Sequence, residues 1–206
     1  MSDRGCLKSV IRRETIARIL ALTARNRDAQ EEALTRRFPT LPGLADAGII
    51  LLYASAFPEE IHTSAMLRWV LSQGRTLVCP RVDRKAKELR LHQIEDLAGD
   101  FQPGTLGIPE PRQSCPVIAP KRIDWVLVPG LAFDPRGYRV GRGAGHYDRL
   151  LPRLRPEVPR WALILEPQWV EEVPDEPHDV PLDGVASPSR EVTPRPPRPA
   201  PASHTP

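Results

Sequence analysis

Short apolar runs alternate along this chain with segments of helical spacing, and this alternation restricts the possible folds more than any other feature. The runs lie at residues 48–54, 76–80, 124–133 and 160–165. A short continuous apolar run is typical of a parallel strand that is buried on both faces. Strands that alternate with helices favour an α/β architecture. We therefore predict a single three-layer α/β domain with a central, largely parallel sheet flanked by helices.

Local signals bound the helices between these runs. Residues 6–24 place apolar side chains at helical spacing, which predicts an amphipathic first helix. Asp28 is predicted to cap a second, polar helix that ends before a proline. A third helix is expected at residues 63–72, with Gly74 closing it. Residues 88–94 alternate polar and apolar side chains, so they are expected to form a further strand.

Proline is distributed unevenly, and it marks the end of the predicted domain. Residues 187–206 are rich in proline and lack apolar periodicity. Such a segment cannot bury enough surface to offset its ordering entropy, so we predict a disordered tail. The folded domain is therefore assigned to residues 1–186. A proline-rich ligand for a partner domain is the alternative interpretation of the tail.

Composition excludes several classes of protein. The 206 residues contain 29 Lys plus Arg and 26 Asp plus Glu, and this small positive excess argues against a nucleic-acid-binding role. No apolar stretch approaches the roughly 20 residues that span a bilayer, and the N-terminal segment lacks a signal-peptide core. The three cysteines are widely spaced, which argues against disulfides or a zinc site and fits a reducing cytoplasm. Cys79, within an apolar run, is predicted to be a buried small hydrophobe.

Residues 128–149 carry the pattern with the clearest chemical meaning. They contain five glycines, three arginines spaced three residues apart, and a closing Tyr147-Asp148 pair. Glycines let the main chain approach phosphate oxygens, and arginines supply forked donors that match phosphate geometry. Asp148 can hold a magnesium ion that bridges phosphates. A mobile surface loop with solvated charges is the alternative, and the spacing fits neither a Walker loop nor a dinucleotide fingerprint.

This segment, VPGLAFDPRGYRVGRGAGHYDRLL, resembles the signature of the 5-formyltetrahydrofolate cyclo-ligase family, also called 5,10-methenyltetrahydrofolate synthetases. The resemblance extends in order over about residues 7–186. It includes Lys8 and Arg12, an E-x-x-T motif from Glu60, the CPRV and GIPEP segments, Gln168, and the pair His178-Asp179.

The resemblance implies that ATP and 5-formyltetrahydrofolate are converted to 5,10-methenyltetrahydrofolate, ADP and phosphate, with Mg²⁺. The formyl oxygen is a poor leaving group, so the γ-phosphoryl group is first transferred to it. N10 of the folate then closes the ring on the resulting iminium phosphate. Catalysis of this kind depends mainly on positioning and on neutralising negative charge. The resemblance further implies a cytoplasmic monomer that acts on small molecules and binds neither nucleic acid nor membrane.

The resemblance also assigns roles to individual residues. The expected ATP-binding residues are Lys8, Arg12, Arg139, Val140, Gly141, Arg142, Gly143, Ala144, Gly145, His146 and Tyr147. The expected substrate-binding residues are Ser55, Glu60, Arg142, Gly143, Ala144, Gly145 and His146. The expected catalytic residues are Arg139, Arg142, His146 and Tyr147, and the expected magnesium ligands are Asp148 and Asp179.

Four of these residues have simpler alternative interpretations. Lys8 and Arg12, four residues apart on one helix face, also fit an ordinary solvated basic face. Glu60 also fits an acid at a helix N-terminus that complements the helix dipole. Asp179 also fits a surface loop, because its surroundings are acidic and interrupted by proline.

His146 departs from the family pattern, which usually has a second tyrosine at this position. Histidine keeps a flat ring but is smaller and titrates near pH 6.5. The departure leaves open a diverged paralogue that acts on another formamide-bearing compound. A non-catalytic nucleotide- or RNA-binding protein is a further alternative. Glu60 and Asp148 argue against RNA, because carboxylates repel a phosphodiester backbone.

Overall fold

The structure, a computed structural model, describes residues 3–104 and 107–194. Its α-helices are α1 (Asp3–Leu20), α2 (Ala24–Arg37), α3 (Ser64–Ser72) and α4 (His146–Leu150). Its strands are β1 (Ile49–Leu51), β2 (Thr76–Asp83), β3 (Glu88–Ile94), β4 (Phe101–Pro103), β5 (Pro109–Pro111), β6 (Val117–Ile118), β7 (Trp125–Leu127), β8 (Ala132–Phe133), β9 (Arg139–Val140), β10 (Arg160–Leu163), β11 (Gly184–Ala186) and β12 (Glu191–Val192).

The main sheet has eight strands in the order β12-β11-β10-β7-β1-β2-β3-β6. The five central strands, β11 to β2 in this order, pair in parallel, and antiparallel strands complete both edges. Numbered along the chain, the five parallel strands run 2-1-3-4-5 across the sheet, which is a doubly wound order. The predicted α/β class with a largely parallel sheet is confirmed.

Alternation along the buried strands builds a separate core on each face of the sheet. Ile50 and Leu127 pack on one face with side chains of α1, α2 and α3. Leu51 and Val126 pack on the other face with Leu150 and the segment after α4. Because both faces are covered, these strands are apolar throughout, which explains why the runs were visible in the sequence.

Two local expectations are wrong. Thr23, not Asp28, caps α2, and its hydroxyl accepts a hydrogen bond from the backbone amide of Asn26. The apolar run at residues 124–133 is not one strand, since β7 ends at Leu127 and residues 132–133 pair with β9 in a separate hairpin. Pro129 has no N–H to donate to a ladder, so the chain leaves the main sheet there.

The predicted tail begins too early. Ser187 is fully buried, and residues 191–192 form the edge strand β12, antiparallel to β11. Arg37 of α2 also donates a hydrogen bond to the carbonyl of Ser187. Edge pairing of this kind uses backbone groups and leaves no apolar period in the sequence, so the boundary at residue 187 is wrong. The rest of the predicted tail, residues 195–206, lies outside the described residues.

Within the described ranges, no helix combines the length and the apolar character needed to span a membrane.

Candidate active site

A crevice of about 320 Å³ lies at the carboxyl ends of β1 and β7. The segments that leave these two strands form part of its wall, with residues 53–54, 56–57 and 129–131. β1 is the strand at which the order of the parallel sheet reverses, because β2 lies on one side of it and β7 on the other. Adjacent connections leave for opposite faces at such a point, which opens a cleft for a ligand.

Residues 141–145, which we call the glycine turn, form another side of the crevice between β9 and α4. Gly143 has φ +102° and Gly145 has φ +64°, conformations that residues with a side chain rarely adopt. Gly141 has an ordinary φ, and a Cβ there would meet open space. The backbone conformation does not require glycine at this position. We infer that the missing side chain leaves the crevice open to a ligand. α4 has only five residues, so its dipole contributes little.

Two arginines outside the turn hold its main chain in place. Nε of Arg12, on α1, donates a hydrogen bond of 2.7 Å to the carbonyl of Gly141. Nη2 of Arg149 donates to the carbonyls of Ala144 and Lys87, each at 2.7 Å. The turn is thus fixed to the first helix on one side and to the β2–β3 connection on the other. This argues against the alternative of a mobile surface loop.

Arg139 and Asp148 form a partly buried ion pair beneath the turn. Nη2 of Arg139 lies 2.7 Å from Oδ1 of Asp148, and its Nη1 donates to the carbonyl of Val180. Both side chains line the crevice, and that of Arg139 is 5% exposed. Arg136, the first of the three spaced arginines, does not line the crevice. It is paired with Asp134 and Asp175 instead.

Lys8 joins the crevice to the segment that contains the other predicted magnesium ligand. Its Nζ lies 2.7 Å from Oδ2 of Asp179 and 3.0 Å from Oε2 of Glu176. Burial lowers the pKa of Lys8, but the hydrogen bonds that Lys8 donates to Asp179 and Glu176, together with the negative charges of these acids, outweigh it and raise that pKa above its usual value. Lys8 therefore belongs to an ion-paired cluster with Asp179 and Glu176. The interpretation as part of a solvated basic face does not describe it.

Potential ligand atoms of Glu176, His178 and Asp179 lie within 4.8 Å of one another. Carboxylate oxygens are the protein ligands that Mg²⁺ prefers. The donor chemistry at Asp179 therefore fits a magnesium ion, with Glu176 as a neighbour that the sequence reasoning missed. The spacing of three residues between Glu176 and Asp179 was the signal available in the sequence.

Arg142 connects the glycine turn to the loop after β1. Its Nη1 lies 2.9 Å from Oε1 of Glu59, and its Nη2 lies 3.2 Å from Oε1 of Glu60. Its guanidinium also lies 3.6 Å from the centroid of the Phe57 ring, a cation–π contact. Glu59, which is 6% exposed, was missed by the sequence reasoning because Glu60 alone matched the family motif.

The side chains of Glu60 and Ser55 stabilise this loop by accepting hydrogen bonds from backbone amides. Oε2 of Glu60 accepts hydrogen bonds from the backbone amides of Ala56 and Phe57. Glu60 lies four residues before α3, so the interpretation as a first-turn acid of a helix is wrong. Oγ of Ser55 accepts from the amide of Thr63, and Ser55 is not among the residues that line the crevice.

His146 and Tyr147 begin α4 and occupy different environments. His146 is part of the crevice wall, with Nδ1 3.2 Å from Nη2 of Arg149. Burial and the positive charge of Arg149 lower the pKa of His146 below its usual value. Burial raises the pKa of Tyr147 well above its usual range, and its hydroxyl has no hydrogen-bond partner among the described residues. Burial likewise raises the pKa of the Cys79 thiol, as expected of a core residue.

The crevice has a nearly balanced set of charges. Among the described residues, four cations and five carboxylates line it: Lys8, Arg12, Arg139 and Arg142, with Glu60, Glu110, Asp148, Glu176 and Asp179. Lys8, Arg139 and Arg142 are ion-paired with acids of the same region. A crevice at the switch point of a doubly wound sheet, lined in this way, defines an α/β protein that binds a small charged ligand.

Comparisons with known proteins agree with this class. A model of the 5-formyltetrahydrofolate cyclo-ligase family matches residues 5–188. The 5-formyltetrahydrofolate cyclo-ligase of Mycolicibacterium smegmatis is 31% identical over 200 residues, which cover 93% of this chain and 98% of the relative. The enzyme of the same name from Mus musculus is 28% identical, covering 86% and 92% of the two chains. The structure of Aquifex aeolicus 5,10-methenyltetrahydrofolate synthetase matches with a TM-score of 0.80 and 27% identity, covering 96% and 98%.

The chain belongs to the 5-formyltetrahydrofolate cyclo-ligase family, and it is accordingly an enzyme of the ligase class.

Proposed function

We propose that this protein converts 5-formyltetrahydrofolate and ATP to 5,10-methenyltetrahydrofolate, ADP and phosphate in the presence of Mg²⁺. The observation that supports this most strongly is the position of the glycine turn. It lies at the switch-point crevice together with the four cations that the family resemblance assigns to the reaction. A ligase needs such a cluster to position a polyphosphate and to neutralise the charge that moves during transfer.

The nucleotide would occupy the part of the crevice formed by the glycine turn, Lys8, Arg12 and Arg139. Forked guanidinium donors match phosphate oxygens bidentately. Lys8 supplies a compact point charge, and glycines at 141, 143 and 145 leave the backbone accessible. Arg12 already donates to the carbonyl of Gly141, so the same residue would hold both the turn and a phosphate.

Asp148 and Asp179 are the residues proposed to hold Mg²⁺, with Glu176 beside Asp179. When bound, the ion would reduce the charge on the β- and γ-phosphates. The charges of the crevice support a requirement for a divalent cation. Free ATP, a polyanion, would face five carboxylates against four cations.

The proposed chemistry balances in two steps. The formyl oxygen attacks the γ-phosphorus and ADP leaves, which gives an iminium phosphate at N5. N10 then attacks the formyl carbon, the proton of N10 is lost, and phosphate departs with the former formyl oxygen. Arg139 and Arg142 would neutralise charge on the transferred group. The cation–π contact with Phe57 would hold the guanidinium of Arg142 in place for this role.

The folate would occupy the part of the crevice where the wall is more apolar. Tyr53, Phe57 and Leu89 line the crevice and would contribute to that wall, and Glu60 and His146 line the same crevice. Residues 142–146 line the crevice, and the family resemblance assigns them to both substrates, so they are proposed to contact both. A diverged paralogue with another formamide-bearing substrate remains the second candidate, because His146 replaces the usual tyrosine among the residues proposed to bind folate.

The two candidates are separated by one spectroscopic assay. The methenyl product absorbs in the near ultraviolet, so its formation can be followed after mixing the protein with 5-formyltetrahydrofolate and MgATP. We expect product to form only when ATP and Mg²⁺ are both present. Stabilisation of the fold by MgATP without product formation would favour the paralogue. Absence of both effects would reject the proposed function.

A further inference from the structure

Glu110 has an environment that none of the proposed roles explains. It lies on β5, within the GIPEP segment, and it is 3% exposed. Its side chain forms part of the crevice wall, although family resemblance assigned it no role. Oε1 has no hydrogen-bond partner among the described residues. Its Oε2 lies 3.7 Å from Nη1 of Arg81, which is longer than a hydrogen bond.

A buried carboxylate oxygen without a hydrogen bond is costly, so the position of Oε1 needs an explanation. Nη1 of Arg81 does not supply the missing bond, because it donates to the carbonyl of Pro111 at 2.6 Å. That bond instead fixes β5 to β2. Gly104 also makes room for the carboxylate: a Cβ there would lie 2.3 to 2.5 Å from three atoms of Glu110. Among the described residues, the surrounding fold thus holds Oε1 of Glu110 at the crevice without providing a donor for it.

Glu60, another glutamate that lines the crevice, differs in this respect. Its Oε2 accepts from two backbone amides and its Oε1 is bonded to Arg142. Its acceptor capacity is therefore largely used by the protein itself. Oε1 of Glu110, by contrast, has no partner among the described residues and can accept a hydrogen bond from a ligand.

The surroundings of Glu110 indicate which ligand would use it. Apolar side chains line the crevice with it, from Pro80, Val82, Leu89 and Ile108. Such a wall favours a flat, weakly polar ring system. A single carboxylate beside it can accept two parallel hydrogen bonds from an edge that carries a ring N–H next to an exocyclic amine.

We propose that Glu110 recognises the 2-amino-4-oxopyrimidine edge of the pterin ring, and that the apolar wall beside it holds that ring. This assignment rests on the proposed function, since the pterin belongs to 5-formyltetrahydrofolate. Glu110 is then a specificity-determining residue that orients the folate, whereas Glu60 is bonded to Arg142 of the glycine turn.

The test compares 5-formyltetrahydrofolate with its analogue that lacks the 2-amino group. In the wild type, we expect kcat/KM to fall by roughly 10- to 100-fold for the analogue, the loss that follows when a charged hydrogen-bond partner is left unpaired. In Glu110→Ala, kcat/KM for the natural substrate is expected to fall by a similar factor, and removing the amine should then have no further effect. The KM for ATP should be unchanged.

Glu110→Gln and Glu95→Ala complete the design. Glu110→Gln keeps one acceptor oxygen, so it should lose less than Glu110→Ala, and it preserves the test should the alanine variant fold poorly. Glu95 is exposed, and the Glu95→Ala variant should discriminate between the two substrates as the wild type does.

A merely structural role of Glu110 would lower kcat/KM for both substrates equally in the Glu110 variants, and that outcome would overturn the assignment. Equal turnover of both substrates by the wild type would also overturn it. Complete inactivity of the wild type would instead reject the proposed function.

Discussion

Nζ of Lys8 lies 2.7 Å from Oδ2 of Asp179, so a residue assigned to phosphate binding is paired with one assigned to magnesium. The contact joins α1 to a segment 171 residues further along the chain. Because both groups are charged and partly buried, each stabilises the other when no ligand is present. Binding of MgATP would exchange this contact for one between lysine and phosphate and one between carboxylate and metal.

Asp179→Asn tests the metal half of this arrangement. An amide oxygen is a weaker ligand for a hard cation than a carboxylate, so the concentration of Mg²⁺ at half-maximal activity should rise roughly 10- to 100-fold, the range seen when groups around a metal are changed. The measurement is a magnesium titration at saturating ATP. Asp46→Asn, on the exposed surface, should leave the titration unchanged. An unaltered midpoint in Asp179→Asn would remove this residue from the metal site.

Arg142→Lys tests whether the link between the glycine turn and Glu59 requires a guanidinium. Lysine keeps the charge but loses the flat stacking on Phe57 and the forked contact with both glutamates. We expect kcat/KM to fall by about 10-fold or more, a loss on the scale of one stacked, charge-assisted contact. Arg36→Lys on the exposed face of α2 is the matched control. Equal activity of the two variants would show that charge alone is sufficient at residue 142.

Gly141→Ala and Gly145→Ala test two different reasons for glycine in the turn. At residue 141 the reason is access of the ligand to the backbone, and at residue 145 it is the left-handed backbone conformation. At Gly145, φ is +64°, so alanine is expected to lower the free energy of unfolding by about 1 kcal/mol or more. At Gly141, where a Cβ meets open space, stability should hold while the KM for ATP rises. Urea denaturation and steady-state kinetics on both variants provide the two readouts. A destabilised Gly141→Ala, or an unchanged KM in it, would contradict the assigned role.

His146→Tyr tests the departure from the family pattern in two ways. We expect this variant to retain or improve turnover of 5-formyltetrahydrofolate, because tyrosine restores the usual residue. A loss of more than about 10-fold in kcat/KM, or roughly 1.4 kcal/mol, would show that the histidine has a dedicated role.

The lowered pKa of His146 also predicts a dependence of stability on pH. The unfolded chain binds a proton at this residue below about pH 6.5, before the folded protein does, so acidification favours unfolding through this window. The melting temperature of the wild type should therefore fall more between pH 7.5 and pH 5 than that of His146→Tyr. Equal falls in both proteins would show that the histidine titrates alike in the folded and unfolded states.

Much of the fold was accessible from the sequence because buried parallel strands leave continuous apolar runs. Residues 48–54 and 76–80 predicted β1 and β2 for this reason. β12 could not be found in this way, since it is an edge strand paired through its backbone. Thr23 and Asp28 are both good capping residues, and only the path of the chain before α2 decides between them.

The site was predictable where spacing along one segment carries the chemistry, as it does at residues 139–148. Contacts between distant segments could not be read from the sequence. Arg142 with Glu59, and Lys8 with Glu176, are pairs that only the sheet order brings together. Glu110 was hidden for a different reason, because an acceptor left without a partner is a property of the packed structure and not of any motif.

Phosphoryl transfer to the formyl oxygen is tested most directly by following that oxygen. 5-Formyltetrahydrofolate labelled with ¹⁸O in the formyl group should be converted in unlabelled water with MgATP, and the released phosphate analysed by mass spectrometry. Attack of the formyl oxygen on the γ-phosphorus predicts one ¹⁸O atom in each phosphate. Unlabelled phosphate, with the label released to water, would contradict the account.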